Sequence, residues 1–334
     1  MQGQSFWMGR TNGLSPENAA GDGGFHMRIV TRPDFDGVVC AVLLREAIDK
    51  ALPILWAEPG DMQHGRVDVQ DGDIVANLPF HDRCSMWFDH HYSNTPARPF
   101  EGVFEMAPSA AGLIHRYYAD RLTRDHGELI RQTDKIDSAD LSEDEVQFPE
   151  KYPYVLLSMT VSGRNLDDEP YWNRLVDLLL TGSIDDAMAD AEVKRRCDQV
   201  VAENRAYRDY LRQHTTVHGV VAVTDFRTLD ETPRGNRFLG YSMFPETVVQ
   251  MKIRLADRDR EKVIVSVGHS IFNRNCRVNV GILLSRYQGG GHPGAGSCSF
   301  HVRHGEDYIG AILEVLMRNE PVADTRPAGE SPAS

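Results

Sequence analysis

The sequence is poor in cysteine. Its 334 residues include 5 cysteines, an odd number, and no two of them form a C-x-x-C pair. This pattern argues against a disulfide framework and against a structural zinc site, and it favours a reducing, cytoplasmic environment. Long apolar runs are also missing. None approaches the ~20 residues that a membrane-spanning helix requires, so we expect no membrane partner.

Positive charge is in short supply as well. The chain has 36 Lys and Arg residues against 49 Asp and Glu residues, which gives a formal net charge of −13. Binding to long duplex nucleic acid depends on neutralising many phosphates, so this balance disfavours such a partner. It is compatible with a short or small phosphorylated substrate that a metal ion helps to hold. The sequence also lacks an aromatic-rich basic stretch of the kind that stacks long single strands.

What the chain does contain is an alternation of short β-branched runs and helical patterns. This alternation predicts an α/β fold in two domains. We expect an N-terminal domain with a parallel sheet over residues 27–150, a helical connector over 151–215 and a smaller α/β domain over 216–320. The two ends, 1–26 and 321–334, have the composition of disordered segments.

Several predicted strands and helices of the first domain begin or end at polar side chains. These side chains are Asp34 and Asp36, Asn77, Asp89-His90-His91, and Asp134 and Asp137. Ligands of open α/β sheets bind at the carboxyl ends of the strands, so we expect these groups to converge. Each group by itself is equally explained by a solvated loop, and Asp36 by the capping of a helix.

Together these groups have the composition of a metal site. Mixed Asp and His ligands suit Mn²⁺, Mg²⁺ or Co²⁺, whereas structural zinc favours cysteine. Two such ions ~3.5–4 Å apart can activate a water molecule and clamp a phosphoryl oxygen for in-line attack. A carboxylate shared by both ions is common in such sites, and Asp36 and Asp89 are the candidates for that role.

The second domain contains a glycine-rich segment, Gly289-Gly290-Gly291-His292. Consecutive glycines let backbone N–H groups approach an anion closely, and the histidine adds a further donor. The segment therefore favours a phosphate-binding loop, although a flexible surface turn explains the three glycines alone equally well. Arg274, shortly before the segment, is a candidate for a further phosphate contact, and a plain surface arginine is the alternative.

Taken in order, these motifs resemble those of the DHH phosphoesterases. The resemblance rests on Asp34-Phe35-Asp36-Gly37, Asp89-His90-His91, Asp137 and Gly289-Gly290-Gly291-His292, and it covers roughly residues 27–320. The family includes RecJ-like exonucleases, nanoRNases, cyclic-dinucleotide phosphodiesterases and exopolyphosphatase-related proteins. The first domain resembles the DHH domain, and the second resembles the DHH-associated domain.

The resemblance implies a binuclear Mn²⁺ centre in a cleft between the two domains. By position, the implied metal ligands are Asp34, Asp36, Asn77, Asp89, His90 and Asp137. His91 and Asp89 are the implied catalytic residues, and His91 would face the phosphate and either stabilise its charge or protonate a leaving oxygen. The implied substrate contacts are Arg32, Arg274, Gly289, Gly290, Gly291 and His292.

The chain departs from the family pattern at two of these places. Many members carry a histidine where this chain has Val30, Thr31 and Arg32, and many have a bridging aspartate where it has Asn77. An arginine can bind phosphate with two parallel hydrogen bonds, so Arg32 is a candidate substrate contact instead. An amide is a weaker ligand than a carboxylate and bridges two cations poorly. His81 is a candidate replacement ligand.

These features predict a metal-dependent hydrolase of the phosphoesterase class, nanoRNase-like or exopolyphosphatase-like. It would cleave a phosphodiester or phosphoanhydride bond of a short oligonucleotide, small nucleotide or polyphosphate by metal-activated water. The alternative is a non-catalytic or weakly active phospho-ligand-binding protein with a degraded metal site, which Arg32 and Asn77 favour. The sequence leaves the substrate, the physiological ion and the oligomeric state open, with a homodimer as one candidate.

Overall fold

The fold is α/β, as predicted, and it contains two separate sheets. The computed structural model describes residues 27–322, apart from Ala97, Arg164 and Arg258. The segment 1–26 and nearly all of 321–334, both predicted to be disordered, lie outside these described residues. Within the described part of the chain, no helix is both long enough and apolar enough to cross a membrane.

Short strands and helices alternate along the chain. The strands are β1 Ile29–Thr31, β2 Ile54–Trp56, β3 Ile74–Ala76, β4 Met86–Asp89, β5 Glu101–Phe104, β6 Thr215–His218, β7 Val221–Asp225, β8 Val249–Leu255, β9 Lys262–His269, β10 Gly290–His292 and β11 Ala295–His301. The helices are α1 Phe35–Ala47, α2 Pro59–Gln63, α3 Ala110–Tyr117, α4 Gly127–Asp137, α5 Glu143–Gln147, α6 Pro153–Met159, α7 Glu169–Thr181, α8 Ile184–Ala189, α9 Ala191–His214, α10 Leu239–Met243, α11 Val280–Ser285 and α12 Gly305–Arg318.

The first sheet is parallel, with the strand order β2-β1-β3-β4-β5. Strands β1 and β3 are wholly buried, as expected of central parallel strands that helices cover on both faces. The strand order reverses between β1 and β3. In a doubly wound sheet this reversal opens a crevice at the carboxyl ends of the strands, and ligands bind there. The topology therefore locates the site beside the ends of β1 and β3.

Helix α1 is the central helix among those packed around the first sheet. Every residue from Phe35 to Leu44 is buried, so the helix is surrounded on all sides, and it contacts α3, α4 and α7. Asp34 caps its N-terminus by accepting a hydrogen bond from the Gly37 N–H. A Cβ at residue 37 would lie 1.9 Å from the carbonyl oxygen of Arg32, so glycine is required for this tight entry into the helix.

The second sheet is mixed, with the strand order β10-β11-β9-β8-β7-β6. The sequence predicts a single strand over 217–223, but the chain turns at Gly219, with φ +58°, so β6 and β7 form an antiparallel pair. The predicted glycine loop is largely a hairpin, because Gly290 pairs with Ser297 across β10 and β11. A Cβ at Gly289 would lie 2.4 Å from the carbonyl oxygen of Ser297, so that approach also depends on glycine.

Two compact units share the chain, and they interleave in sequence. The first holds the described residues up to Asp140 and the segment Tyr152–Cys197; the second holds Leu141–Lys151 and the described residues from Asp198 onward. The predicted connector over 151–215 is thus divided between the units. Its first part supplies core: Trp172 is fully buried and packs edge-on against Trp56, with ring centroids 5.4 Å apart.

A buried hydrogen-bonded pair, His126 and Glu46, joins the segment before α4 to α1. The Nε2 atom of His126 lies 2.6 Å from Oε2 of Glu46, and each side chain is only 4% exposed. The backbone N–H groups of Thr123 and Arg124 donate to the other carboxylate oxygen of Glu46. Burial by itself raises the pKa of Glu46, but the hydrogen bonds from His126, Thr123 and Arg124 outweigh it and lower the pKa to about 2.

We expect the hydrogen bonds of Glu46 to make the free energy of unfolding depend on pH in the acidic range. The pKa of Glu46 is lower in the folded than in the unfolded chain, so its contribution is complete above about pH 5 and is lost as the pH falls toward 2. Glu46→Gln should cost roughly 2 kcal/mol of unfolding free energy at pH 6 and clearly less at pH 3. Urea denaturation at both pH values measures this, with exposed Glu169→Gln as the control. A cost that does not change with pH would contradict the assignment.

Candidate metal centre

The ends of the central strands bring the predicted polar groups to one edge of the first sheet. Asp34 and Asp36 follow β1, Asn77 follows β3, and Asp89 is the last residue of β4. Because β1, β3 and β4 are adjacent and parallel, their carboxyl ends meet at the same edge. Asp137, at the end of α4, reaches this edge as well, as its contact with His90 shows.

His90 is the meeting point of these groups. Its Nε2 atom lies 3.3 Å from Oδ2 of Asp137 and 3.8 Å from Oδ2 of Asp36. Its Nδ1 atom lies 2.9 Å from the carbonyl oxygen of Ala107, which can only accept a hydrogen bond, so Nδ1 carries the proton. In the neutral ring, Nε2 then carries an unprotonated lone pair, and it lies close to two carboxylates.

This arrangement fits a bound cation. The Nε2 atom of His90 is buried and has no hydrogen-bond partner among the residues that the structure describes. One ligand atom each from Asp36, His90 and Asp137 lies within 4.8 Å of the others. An imidazole whose second nitrogen is fixed by a backbone carbonyl is a common way to orient a metal ligand. The residues present therefore suit a divalent ion.

The two carboxylates are destabilised as anions in the metal-free site. Asp36 is fully buried, and its oxygens accept hydrogen bonds from the N–H groups of Ala110 and Ala111 at the start of α3, each at 2.9 Å. Burial, reinforced by Asp34, raises the pKa of Asp36 to about 7. Burial and the neighbouring Asp36 raise the pKa of Asp137 to about 7. A cation between them would relieve both penalties.

Asp89 has different neighbours. One of its oxygens accepts a hydrogen bond from Nδ1 of His91 at 2.8 Å, and the other accepts from Nδ2 of Asn94 at 2.6 Å. The side chain of Asp89 is fully buried, whereas that of His91 is 38% exposed. The hydrogen bond from Asp89 raises the pKa of His91. Asp89, His90 and His91 also lie close enough to form a second candidate ligand group.

Asp34, a predicted metal ligand, is engaged by other donors. Its Oδ1 atom accepts from the Gly37 N–H and from Nδ2 of Asn77, both at 2.9 Å. Its Oδ2 atom lies 3.3 Å from Nε of Arg32. Among the described residues, neither group of close ligand atoms includes Asp34. The Oδ1 atom of Asn77 is buried and, within the same described ranges, has no hydrogen-bond partner.

The remaining candidates make other contacts. Asp134 accepts a hydrogen bond from Oγ of Ser109 at 2.5 Å, and Ser109 is the N-cap of α3. Nδ1 of His81 accepts from the N–H of Arg83 within its own loop. Arg274 is exposed and donates through Nε to the carbonyl oxygen of Ile271.

Sequence reasoning missed two residues that shape the site. Asn94 holds the carboxylate of Asp89, and Glu58 lies 3.7 Å from Nε of Arg32. Neither stands in a recognisable motif, so the only available signal was their position shortly after β4 and β2. The predicted substrate contacts Gly289, Gly290, Gly291 and His292 belong to the second unit, at the β10–β11 hairpin.

Comparisons with known proteins place this geometry in context. No protein-family model matches the sequence, and no curated protein matches it. Among solved structures, the chain is similar to a pGpG-specific phosphodiesterase, PggH, from Vibrio cholerae, at 28% identity over 88% of this chain and 99% of that protein, with a TM-score of 0.79.

More distant structures share the fold. RecJ of Thermus thermophilus, in complex with Mn²⁺, has 15% identity and a TM-score of 0.53 over 89% of this chain and 53% of RecJ. An exopolyphosphatase-related protein from Bacteroides fragilis has 12% identity and a TM-score of 0.50 over 87% of this chain and 92% of that protein.

Proposed function

We propose that this chain, whose structural neighbours are DHH phosphoesterases, is a metal-dependent phosphodiesterase that hydrolyses short, linear dinucleotides such as pGpG. The observation that carries the proposal is the Nε2 atom of His90, which is buried, has no hydrogen-bond partner among the described residues and lies 3.8 Å from Asp36 and 3.3 Å from Asp137. The substrate class is supported by the similarity to PggH, which extends over nearly the whole of that protein. It agrees with the net charge of −13, which disfavours long nucleic acids.

The site's own residues divide into an ion-holding set and a proton-handling set. Asp36, His90 and Asp137 would hold a divalent ion, with Mn²⁺ as the expected one and Mg²⁺ or Co²⁺ as substitutes. When bound, such an ion supplies Lewis acidity that polarises a phosphoryl oxygen and activates water. Carboxylate and imidazole ligands are well matched to that task.

His91 is the residue placed to handle a proton. Asp89 accepts from its Nδ1 atom, which fixes the ring and leaves Nε2 free for the leaving oxygen of the substrate. The same hydrogen bond raises the pKa of His91, so the imidazolium form needed for donation persists to higher pH. Asn94 keeps Asp89 oriented toward His91 through the other carboxylate oxygen.

A second candidate function is ligand binding without hydrolysis, because the resemblance implies metal ligands at two positions where this chain has Arg32 and Asn77. A protein that binds a phosphorylated ligand without hydrolysing it would keep the guanidinium beside Asp34 and lose turnover. The distance of 3.3 Å between Arg32 Nε and Asp34 Oδ2 favours this reading over an intact two-ion site.

A substrate panel with Mn²⁺ tests the proposal. We expect release of mononucleotide from pGpG, its loss on adding EDTA, and little or no hydrolysis of cyclic dinucleotide, adenosine bisphosphate, pyrophosphate or polyphosphate. Anion-exchange chromatography of the products measures all of these together. Hydrolysis of polyphosphate in place of pGpG would overturn the substrate class, and tight pGpG binding without turnover would support the ligand-binding alternative.

A further inference from the structure

Both carboxylate oxygens of Asp34 already face donors of the protein. Its Oδ1 atom accepts from both Gly37 and Asn77, and the first of these bonds caps helix α1. Rotating the carboxylate toward an ion would uncap a helix whose first turn is fully buried. Its Oδ2 atom faces the guanidinium of Arg32 at 3.3 Å. An ion at Asp34 would therefore compete with the helix cap at Oδ1 and with the positive charge of Arg32 at Oδ2.

Arg32 lies between two carboxylates. Its Nε atom is 3.3 Å from Oδ2 of Asp34 and 3.7 Å from Oε2 of Glu58. Glu58 and Pro33 pack closely against Gly163. A Cβ added at Gly163 would lie 1.7 Å from Oε1 of Glu58 and 2.6 Å from Cγ of Pro33. A guanidinium keeps its positive charge at every accessible pH and cannot act as a metal ligand. It fills the position beside Asp34 with a permanent cation.

Asn77 is poorly suited to bind a second ion. Its backbone is in the left-handed region, with φ 56°, and its Nδ2 atom donates to Asp34, so the amide is held in one orientation. The remaining Oδ1 atom can coordinate one hard cation, but a neutral amide is a poor bridge between two. The side of the site that contains Asp34 therefore offers a guanidinium and an amide where two ions would need carboxylates.

The candidate group of Asp89, His90 and His91 does not offer a binding site for a second ion either. Its atoms are close because His91 donates to Asp89 at 2.8 Å. The other oxygen of Asp89 is taken by Asn94 at 2.6 Å. The proximity is thus explained by hydrogen bonds that an ion would have to break. In contrast, Nε2 of His90 lies close to Asp36 and Asp137 and makes no hydrogen bond within the described part of the chain.

We infer that the centre holds a single divalent ion, on Asp36, His90 and Asp137, and that the guanidinium of Arg32 replaces the second ion as the charge beside Asp34. The inference rests on the proposed metal dependence and narrows it, because the family resemblance implies two Mn²⁺ ions. A guanidinium in this position can donate hydrogen bonds to a phosphoryl oxygen of the substrate. In a two-ion site, the second ion would attract that oxygen instead. One ion and one arginine would then share the substrate's phosphate.

The metal content of the purified protein tests this inference without reference to activity. The metal-free protein is titrated with MnCl₂ in a calorimeter, and the loaded protein is analysed by mass spectrometry of its metals and by electron paramagnetic resonance. We expect one ion per chain and the six-line spectrum of an isolated Mn²⁺ ion. Two ions per chain with a spin-coupled spectrum would overturn the inference and leave the proposed hydrolase standing. No bound ion would overturn the proposed function itself.

A pair of substitutions sharpens the test. Arg32→His combined with Asn77→Asp restores an imidazole and a carboxylate beside Asp34, and we expect it to raise the metal content to two ions per chain. Arg66→His, an exposed arginine of the same unit that pairs with Asp61, is the matched control and should keep one ion. If the double variant folds, as judged by circular dichroism, and still binds one ion, Arg32 is not what excludes the second. If it does not fold, the stoichiometry of the unsubstituted protein still decides.

Discussion

His90→Asn is expected to abolish hydrolysis without unfolding the protein. The amide nitrogen of asparagine can take the place of Nδ1 and donate to the carbonyl oxygen of Ala107, 2.9 Å away in the native protein. The substitution then removes the outer edge of the ring, including Nε2, the atom that lies close to Asp36 and Asp137. Without it, the ion loses its one imidazole ligand, and both buried carboxylates lose the charge that offsets their proximity.

The size of the effect follows from the role of the ion. We expect Mn²⁺ affinity to fall at least ~100-fold and kcat/KM for pGpG to fall roughly 10³-fold or more. Calorimetric titration and steady-state kinetics measure the two quantities. The melting temperature in EDTA should stay within about 3 °C, because Nε2 has no hydrogen bond to lose among the described residues.

An exposed histidine provides a matched control for this variant. Nδ1 of His64 lies 2.6 Å from the carbonyl oxygen of Gly60, so His64→Asn makes the same chemical change away from the metal centre. It should leave both Mn²⁺ affinity and kcat/KM unchanged. If His90→Asn retains native affinity for Mn²⁺, the ion is held elsewhere and the assignment of Asp36, His90 and Asp137 fails.

His91→Asn is expected to show the complementary result, a loss of turnover with metal binding intact. Its amide nitrogen can still donate to Asp89, replacing the bond of 2.8 Å from Nδ1. The exposed Nε2 atom, which is the proposed proton donor, is removed. We expect kcat to fall roughly 10²–10⁴-fold while Mn²⁺ affinity changes less than about threefold. Asp89→Ala, which removes the group that orients His91, should abolish activity.

Leaving-group dependence separates proton donation from simple binding. A substrate with an acidic leaving group, such as a p-nitrophenyl ester of guanosine monophosphate, needs no proton in the transition state. His91→Asn should therefore lose much less activity with this ester than with pGpG. An equal loss on both substrates would show that His91 binds phosphate without donating a proton. Undiminished activity of Asp89→Ala would remove Asp89 and His91 from the mechanism altogether.

Much of the site could be predicted because strand ends share an edge. Asp36 follows β1 and His90 follows β4, and any parallel sheet that contains both strands brings their carboxyl ends together. The capping of α3 by Ser109 can also be predicted, because it depends only on a serine that stands directly before a helical pattern. The α/β class and the two separate sheets follow from the same alternation of patterns.

The residues that decide how the site works could not be predicted in this way. That Asp34 is held by Asn77 and Arg32 depends on the left-handed backbone of Asn77 and on side-chain rotamers that no periodicity reports. The bond from Asn94 to Asp89 depends on the path of the loop after β4. The turn at Gly219 was hidden because an apolar pattern continues through it into β7.

The interleaving of the two units also sets an order on biosynthesis. The first unit cannot complete its core until Trp172, which is fully buried, has left the ribosome, although its sheet is finished by Phe104. The segment Leu141–Lys151 emerges earlier but belongs to the second unit, whose other residues begin at Asp198. During translation this segment therefore cannot pack into the second unit until the residues from Asp198 onward have been synthesised. Neither unit is a contiguous piece of chain, so neither can be exchanged between proteins by a single recombination event.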